Sequence, residues 1–334
     1  MNIIKGIQVV GNRKTYKNFV NVQARFFASK DFCNSLGARV GDTVKLKINN
    51  VVFDAKISDY VTVPYRQVFS NKEIELIKNG LILKRKVDVI VLGIFKGSIK
   101  ITPTPQLVAI LSHLYSDGSI TSTSIHYTNE NIELIEHFKS LVSSCFPGVS
   151  FYEWNDGKMY YVQIENIKVI SIISRFINRF GRKSITNPHV PRFVKDSGEY
   201  SKIWLRHAFT DEGWVNTQKK TVGLSRSVRF ENQFLIKKLK WSEENSLIRK
   251  SGKRIVSLLN DKLLRLVPRN NTIDDEAMML KRLGIQHNIY PRRRVELIDG
   301  KISASYELFI KAKDFIRIGF CCTKKQKSLE SICR

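Results

Sequence analysis

An internal repeat constrains this chain more than any other feature, because chance agreement over so many elements in one order is improbable. The first copy predicts a helix "PQLVAILSHLYSDG", a strand ending "SIHYTNEN", a helix "IELIEHFKSLVSS", a strand "VSFYEW", a turn at Asp156-Gly157, a strand "KMYYVQIEN" and a helix "IKVISIISRFINRFG". The second predicts a helix "YSKIWLRHAFTDEG", a strand "LLRLVPRNN", a helix "TIDDEAMMLKRLG", a strand "RRRVELI", a turn at Asp299-Gly300, a strand "KISASYELFIK" and a partly helical "AKDFIRIGF". Both hairpins turn on Asp-Gly, a pair suited to tight turns, and a lysine follows each, Lys158 and Lys301. The expected fold class is α+β, with tandem repeats over residues 103–195 and 196–334. A basic insertion is expected at about 217–260, where Lys219, Lys220, Arg226, Arg229, Lys237, Lys238, Lys240, Arg249, Lys250, Lys253 and Arg254 outnumber Glu231, Glu243 and Glu244.

Residues 1–102 precede the repeat and read as β-rich. In "GDTVKLKINN", Val44, Leu46 and Ile48 alternate with Lys45 and Lys47, the period of a half-buried strand. A weaker echo at "VFSNKEIELIKNGLILKRKVDVIVLGI" repeats the order of short helix, Gly turn and β run, so a small barrel built from a duplicated unit is expected. The wording "LGxxxGDxVxLxI" resembles swapped-hairpin or double-psi barrels such as the AbrB-like DNA binders. Pro103 and Pro105 in "KGSIKITPTPQ" break helix and strand and mark a linker.

Charge narrows the partner. Lysine and arginine number 56 against 30 acids, a formal charge of +26 within a folding composition, which points to a polyanion and first to nucleic acid. No apolar run reaches the roughly 18 to 20 residues that span a bilayer, and the N-terminal wording lacks the layout of a signal peptide, so an intracellular protein of the cytoplasm or nucleoid, without a membrane partner, is expected. The five cysteines show no CxxC spacing and the six histidines no HExxH, which argues against a disulfide framework and a dedicated His/Cys metal site.

The opening helices align without a gap, "ILSHLYSDG" over "LRHAFTDEG", and each ends in an acid followed by glycine: Asp117-Gly118 and Glu212-Gly213. A carboxylate at a helix C-terminus faces the negative end of the dipole. If the helices pack about a pseudo-dyad, two such carboxylates meet and repel unless a divalent cation sits between them. Hard oxygen donors suit Mg²⁺ or Mn²⁺, which can activate water at a phosphodiester.

On these residues the chain resembles the LAGLIDADG homing endonucleases in their single-chain, two-motif form, over about residues 103–325. "SDGSI" stands for the first motif, with Ser112 and Ser116 where the family places small residues. In the second, Arg206 fits a common variant, while His207 replaces a close-packing glycine and Asp211 a small residue. The resemblance implies a DNA-binding saddle of two αββαββα repeats acting as a pseudo-symmetric monomer on a long asymmetric site. It implies metal binding by Asp117 and Glu212 and by the main-chain carbonyls of Ser116 and Asp211, with Lys158 and Lys301 as catalytic basic residues near the scissile phosphates that polarise water or balance transition-state charge. Side chains on the strands would read double-stranded DNA: Tyr160, Gln163, His126 and Glu153 in the first half, and Arg265, Arg292, Arg293, Arg294, Glu296 and Ser303 in the second, with Arg226 and Arg229 from the insertion contacting phosphates. The function so implied is site-specific, divalent-metal-dependent DNA cleavage. The alternative is a non-cleaving DNA- or RNA-binding protein, a regulator or intron maturase, on the same scaffold.

Overall fold

Two units make up the computed structural model, which describes every residue except 1, 17–18, 29–31, 34–35, 39–40, 59, 96–101, 122, 178–182, 243–253 and 334. The first unit comprises Met1–Ile101, Thr121–Ser124 and Glu165–Arg175. Its strands β1 (Asn2–Tyr16), β2 (Phe19–Phe27), β3 (Thr43–Ile48), β4 (Val51–Lys56), β5 (Tyr60–Val63) and β6 (Leu83–Phe95) form one antiparallel sheet in the order β4-β3-β6-β1-β2-β5. The alternation read in β3 holds: Val44, Leu46 and Ile48 are buried, and Lys45 is exposed. Asn49 takes the positive φ of 46° that the tight β3–β4 turn requires. Helix α1 (Asn71–Lys78) starts at a capping box in which Glu73 and Ser70 satisfy each other's backbone N–H, and it lays Ile74 and Ile77 on the sheet core. Gly11 makes that approach possible, because a Cβ there would lie 2.6 Å from the Ile77 Cδ1. The sheet is barrel-like but open. The expected duplication does not carry through, because β3 turns back into β4 whereas its counterpart β6 is a single strand of 13 residues. The first six residues of the linker, 96–101, lie outside the described residues.

The second unit comprises Thr102–Ile120, Ile125–Ile164 and Phe176–Arg334. Its first repeat runs α2 (Pro105–Tyr115), β7 (Gly118–Ile120), β8 (Ile125–Asn129), α3 (Ile132–Cys145), β9 (Tyr152–Asn155) and β10 (Tyr160–Ile164), with the sheet ordered β7-β8-β10-β9. The next helix, α4 (Ile167–Ser174), belongs to the first unit. The second repeat runs α5 (Gly198–Glu212), β11 (Gly213–Asn216), β12 (Thr221–Phe230), α6 (Asn271–Arg282), β14 (His287–Ile298) and β15 (Lys301–Lys311), and α7 (Thr323–Cys333) follows it. Its sheet is ordered β11-β12-β15-β14-β13, with β13 (Ile255–Leu258) as an added edge strand. The α+β class and the repeat order stand.

One part of the alignment is corrected. The strand after the second opening helix is β12, inside the stretch read as an insertion, and "LLRLVPRNN" instead forms a helical turn at Asp261–Leu264 followed by irregular chain. Inserted material therefore begins after Phe230 and ends before α6. The expected basic residues Arg249, Lys250 and Lys253, with Glu243 and Glu244, lie outside the described residues.

The sheet faces follow from burial and register. On β15, Ile302, Ala304, Tyr306, Leu308 and Ile310 are buried, so Lys301, Ser303, Ser305, Glu307 and Phe309 stand on the opposite face. On β8 and β10, Ile125, Tyr127, Val162 and Ile164 are buried, and Tyr127 stacks on Phe138 of α3 at 4.6 Å. That places His126, Tyr161 and Gln163 on the face away from the helices.

Candidate functional site

The site grows from the two aligned helices. Helix α2 begins at Thr104, whose hydroxyl accepts from the Leu107 N–H at 3.2 Å, with Pro105 in its first turn. It is buried from Leu107 to Tyr115, as suits a central helix with neighbours on all sides. Helix α5 begins at Ser197, which accepts from the Tyr200 N–H at 3.2 Å. The two helices touch closely, since the Ser112 hydroxyl donates to the Trp204 carbonyl at 2.8 Å. His207 does not wedge them apart. Its Nδ1 bonds the Ile203 carbonyl one turn back at 2.7 Å, and the ring stacks on His137.

The glycine after each acid is required for space. Gly213 has an ordinary extended backbone (φ −87°), so it is no left-handed helix cap. A Cβ there would lie 2.4 Å from the Phe209 carbonyl oxygen, and one at Gly118 would lie 2.8 Å from the Leu114 Cα. Each helix thus ends abruptly, and the chain turns into β7 or β11 directly beneath it, leaving Asp117 and Glu212 at the corners.

The acids Asp117, Asp211 and Glu212 meet Lys183, Lys325 and Arg226 at these corners. Burial, reinforced by the like charges of Asp211 and Glu212, pushes the Asp117 carboxyl up to about 7. Its Oδ2 accepts from the Asn129 amide at 2.9 Å. The Asp211 side chain turns inward, accepting from the Tyr127 hydroxyl at 2.8 Å and pairing with His113 Nδ1 at 2.9 Å, and burial pushes it up to about 8. The Lys183 ammonium donates to the Ser116 carbonyl. The Lys325 ammonium on α7 donates to the Thr210 carbonyl and, at 3.3 Å, to that of Asp211. Burial drives Lys183 down to about 8 and Lys325 below its ordinary value. Arg206 donates to the Ile318 carbonyl at 2.8 Å. Arg226 reaches Glu212 at 2.8 Å and the fully buried Glu276 at 2.6 Å, and it also donates to the Ser116 hydroxyl at 3.3 Å.

Arg226 is therefore corrected. It sits on the helix-facing side of β12 opposite Tyr306, only 5% exposed, because Glu212 and Glu276 compensate its charge there; it does not face outward to DNA. Tyr160 is corrected as well, since it shares the parity of buried Val162, and Tyr161 takes the outward position. Arg265 caps a helical turn and lies off the sheet. Gln163, Arg229, Glu296, Lys301 and Ser303 occupy the outward face, and Arg292 reaches that face by pairing with Glu307. Arg294 is exposed beside a bulge in β14, Arg293 pairs with Asp261 at 2.8 Å, and Glu153 with Lys139 at 2.9 Å. Lys158 lines the same cleft as Asp117 and Lys325, whereas Lys301 pairs with Glu231 at 3.0 Å. The lysines bonded at the helix ends are Lys183 and Lys325, neither picked from sequence. Each follows the closing strands of its repeat, the one signal that could have pointed to them.

The oxygen donors suit a hard divalent cation in kind: carboxylates of Asp117 and Glu212, carbonyls of Ser116 and Asp211. In this structure both carbonyls and Glu212 are met by cationic side chains of the chain itself.

No family model matches the chain. It is 26% identical over 158 residues to the isomerizing glutamine–fructose-6-phosphate aminotransferase of Methanocaldococcus jannaschii, an alignment covering 43% of this chain and 14% of that protein. The chain thus spans a small part of that relative's length. Among solved structures it is similar to the homing endonuclease I-DmoI in complex with DNA and Ca, with a TM-score of 0.38, 10% identity, and coverage of 68% of this chain and 97% of that one. It is also similar to full-length DUF199/WhiA from Thermatoga maritima, with a TM-score of 0.37, 12% identity, and coverage of 70% and 61%. No helix among the described residues is long and apolar enough to cross a membrane.

Proposed function

We propose that this chain is a LAGLIDADG-type protein that binds a long asymmetric site in double-stranded DNA and cleaves both strands with the help of divalent cations. The observation that carries the proposal is the matched pair of helix ends, each with an acid at the corner and a lysine on the adjoining carbonyl: Asp117 with Lys183, Glu212 with Lys325. Burial, with the like charges of Asp211 and Glu212 second, keeps Asp117 hard to ionise despite these cations, and a further cation bound to the carboxylate would favour its charged form. A purely phosphate-binding surface would be weakened by such acids.

Asp117 and Glu212 would hold Mg²⁺ or Mn²⁺, which when bound supplies Lewis acidity to the scissile phosphates. Lys183 and Lys325, which bond the carbonyls beside the acids, would balance charge developing on the phosphates. The outward faces of the two sheets present Gln163, Tyr161 and His126 in one half and Arg229, Ser303 and Arg294 in the other to groove edges and phosphates. The net charge of +26 supports the polyanionic partner.

A second reading, DNA or RNA binding without cleavage, is favoured by one observation: Lys183, Lys325 and Arg226 already neutralise the groups a metal would use. One experiment separates the two. Fragments of the source genome retained by the protein are incubated with Mg²⁺ and Mn²⁺, with Asp117→Asn and Glu212→Gln alongside. Cleavage that falls by roughly 10²-fold or more in either variant, with binding intact, is the expected result. Tight site-specific binding without cutting in any divalent metal supports the second reading, and cutting that survives both substitutions sinks the site.

A further inference from the structure

We propose that His113, His137 and His207 form a binding site for a borderline transition metal, best suited to Zn²⁺, distinct from the acids at the helix ends. The three imidazoles come from α2, α3 and α5, so they converge only in the folded second unit. Their candidate ligand nitrogens all lie within 4.8 Å of one another. The Nε2 atoms of His137 and His207 are 3.1 Å apart, and ring centroids of His113 and His207 are 4.9 Å apart. Two imidazoles on a tetrahedral zinc, with Zn–N near 2.0 to 2.1 Å, place their nitrogens about 3.3 Å apart.

Tautomers supply the stronger argument. The Ile203 carbonyl can only accept, so His207 Nδ1 carries the hydrogen and a neutral ring turns the Nε2 lone pair toward His137, whose Nε2 lies at hydrogen-bond distance, 3.1 Å. His113 Nδ1 lies 2.9 Å from the Asp211 carboxylate, whose other oxygen accepts from Tyr127. Donating there leaves His113 Nε2 with a bare lone pair, in a ring that is fully buried and finds no hydrogen-bond partner for that atom among the described residues. Leaving such an atom unpaired costs about 1–3 kcal/mol, which an apolar side chain among Tyr127 and Phe138 would avoid. Both Nδ1 contacts, one to a carboxylate and one to a backbone carbonyl, are the supports that metal-bound histidines use.

Three imidazoles select zinc, cobalt, nickel or copper over magnesium. His137 is half-buried, so it leaves an entry path and room for water as a fourth ligand. A metal there would tie together three helices and both repeats, and Asp211 would place it one residue from Glu212.

The test uses the untagged full chain, stripped with chelator and dialysed against Zn²⁺ or Co²⁺. The expected result is one tightly held zinc per chain, an intense visible cobalt spectrum of low coordination number, and a melting temperature raised by zinc but not by Mg²⁺. His137→Gln, changing the least buried member, loses the metal and the shift while its metal-free melting temperature stays near that of the parent. Asp117→Asn with Glu212→Gln retains the zinc, which keeps this outcome separate from the fate of the nuclease proposal. A stoichiometry and melting shift equal in parent and His137→Gln, or a weak six-coordinate cobalt spectrum in the parent, overturns the site.

Discussion

Arg226 carries the charge balance at the seam between the repeats. Its guanidinium meets Glu212 and Glu276 while nearly buried, so removing it strands a buried carboxylate. Arg226→Met is expected to cost about 3–5 kcal/mol of stability, read as a lower denaturant midpoint, whereas a change under 1 kcal/mol, about the scale of an exposed pair, would contradict the buried network. Asp117 behaves in the opposite sense. Its carboxyl holds a proton to about pH 7 in the fold, against 3.8 for an ordinary aspartate. Across that window the folded state binds more protons, so this residue makes stability fall as pH rises. Asp117→Asn should therefore melt above the parent at pH 8 in chelator and level with it near pH 4; equal differences at both would refute the assignment. The acids themselves were legible in sequence because two gapless helices ended alike. Arg226 was not, because an arginine in a strand of a basic chain looks solvent-facing until its partners Glu212 and the buried Glu276 are known. Lys183 and Lys325 left only their place after the closing strands as a signal, because their partners are main-chain carbonyls, which leave no mark on residue choice.

Elements were legible where alternation or capping was clean and illegible where charge interrupted it. Strand β3, with lysines on one face, and β15, with five alternate buried residues, matched their patterns. Strand β12 was mistaken for an insertion because Arg226 and Arg229 break up Val222, Leu224 and Val228. The added edge strand β13 has no counterpart in the first repeat, so repeat logic could not supply it. At the helix ends the sequence pair of acid and glycine carries steric information. Gly213→Ala would force a Cβ to within 2.4 Å of the Phe209 carbonyl oxygen. The expected cost is about 1–3 kcal/mol, seen as a lowered melting temperature with the acid still in place. A neutral Gly213→Ala would mean that β11 can move away from α5.

The whole molecule is less modular than its repeat suggests. The chain leaves the first unit near residue 101 and returns at Thr121–Ser124 and Glu165–Arg175. Helix α4 lies in that returning segment, with Val169, Ile170 and Ile173 buried, and a Cβ at Gly41 would lie 2.2 Å from the Ser171 hydroxyl. A chain starting at Thr102 removes the unit to which α4 belongs. It should bind a hydrophobic dye and aggregate on sedimentation, whereas a monodisperse fragment would show that α4 finds other cover. This mixing could not be read from sequence, where the proline-bearing linker promised a clean break.

Two tryptophans give these scales separate optical signatures. Trp204, fully buried between the opening helices, changes its emission when the seam opens. Trp154, 46% exposed, lies parallel to Tyr161 at 5.0 Å on the outward strand face, where a stacked base or a bound strand would quench it without unfolding anything. Light from one protein thus reports docking and melting through different rings, and a variant with both Trp154 and Trp214, which packs on the outward Phe309, replaced by phenylalanine would remain sensitive to melting while losing most of its response to docking.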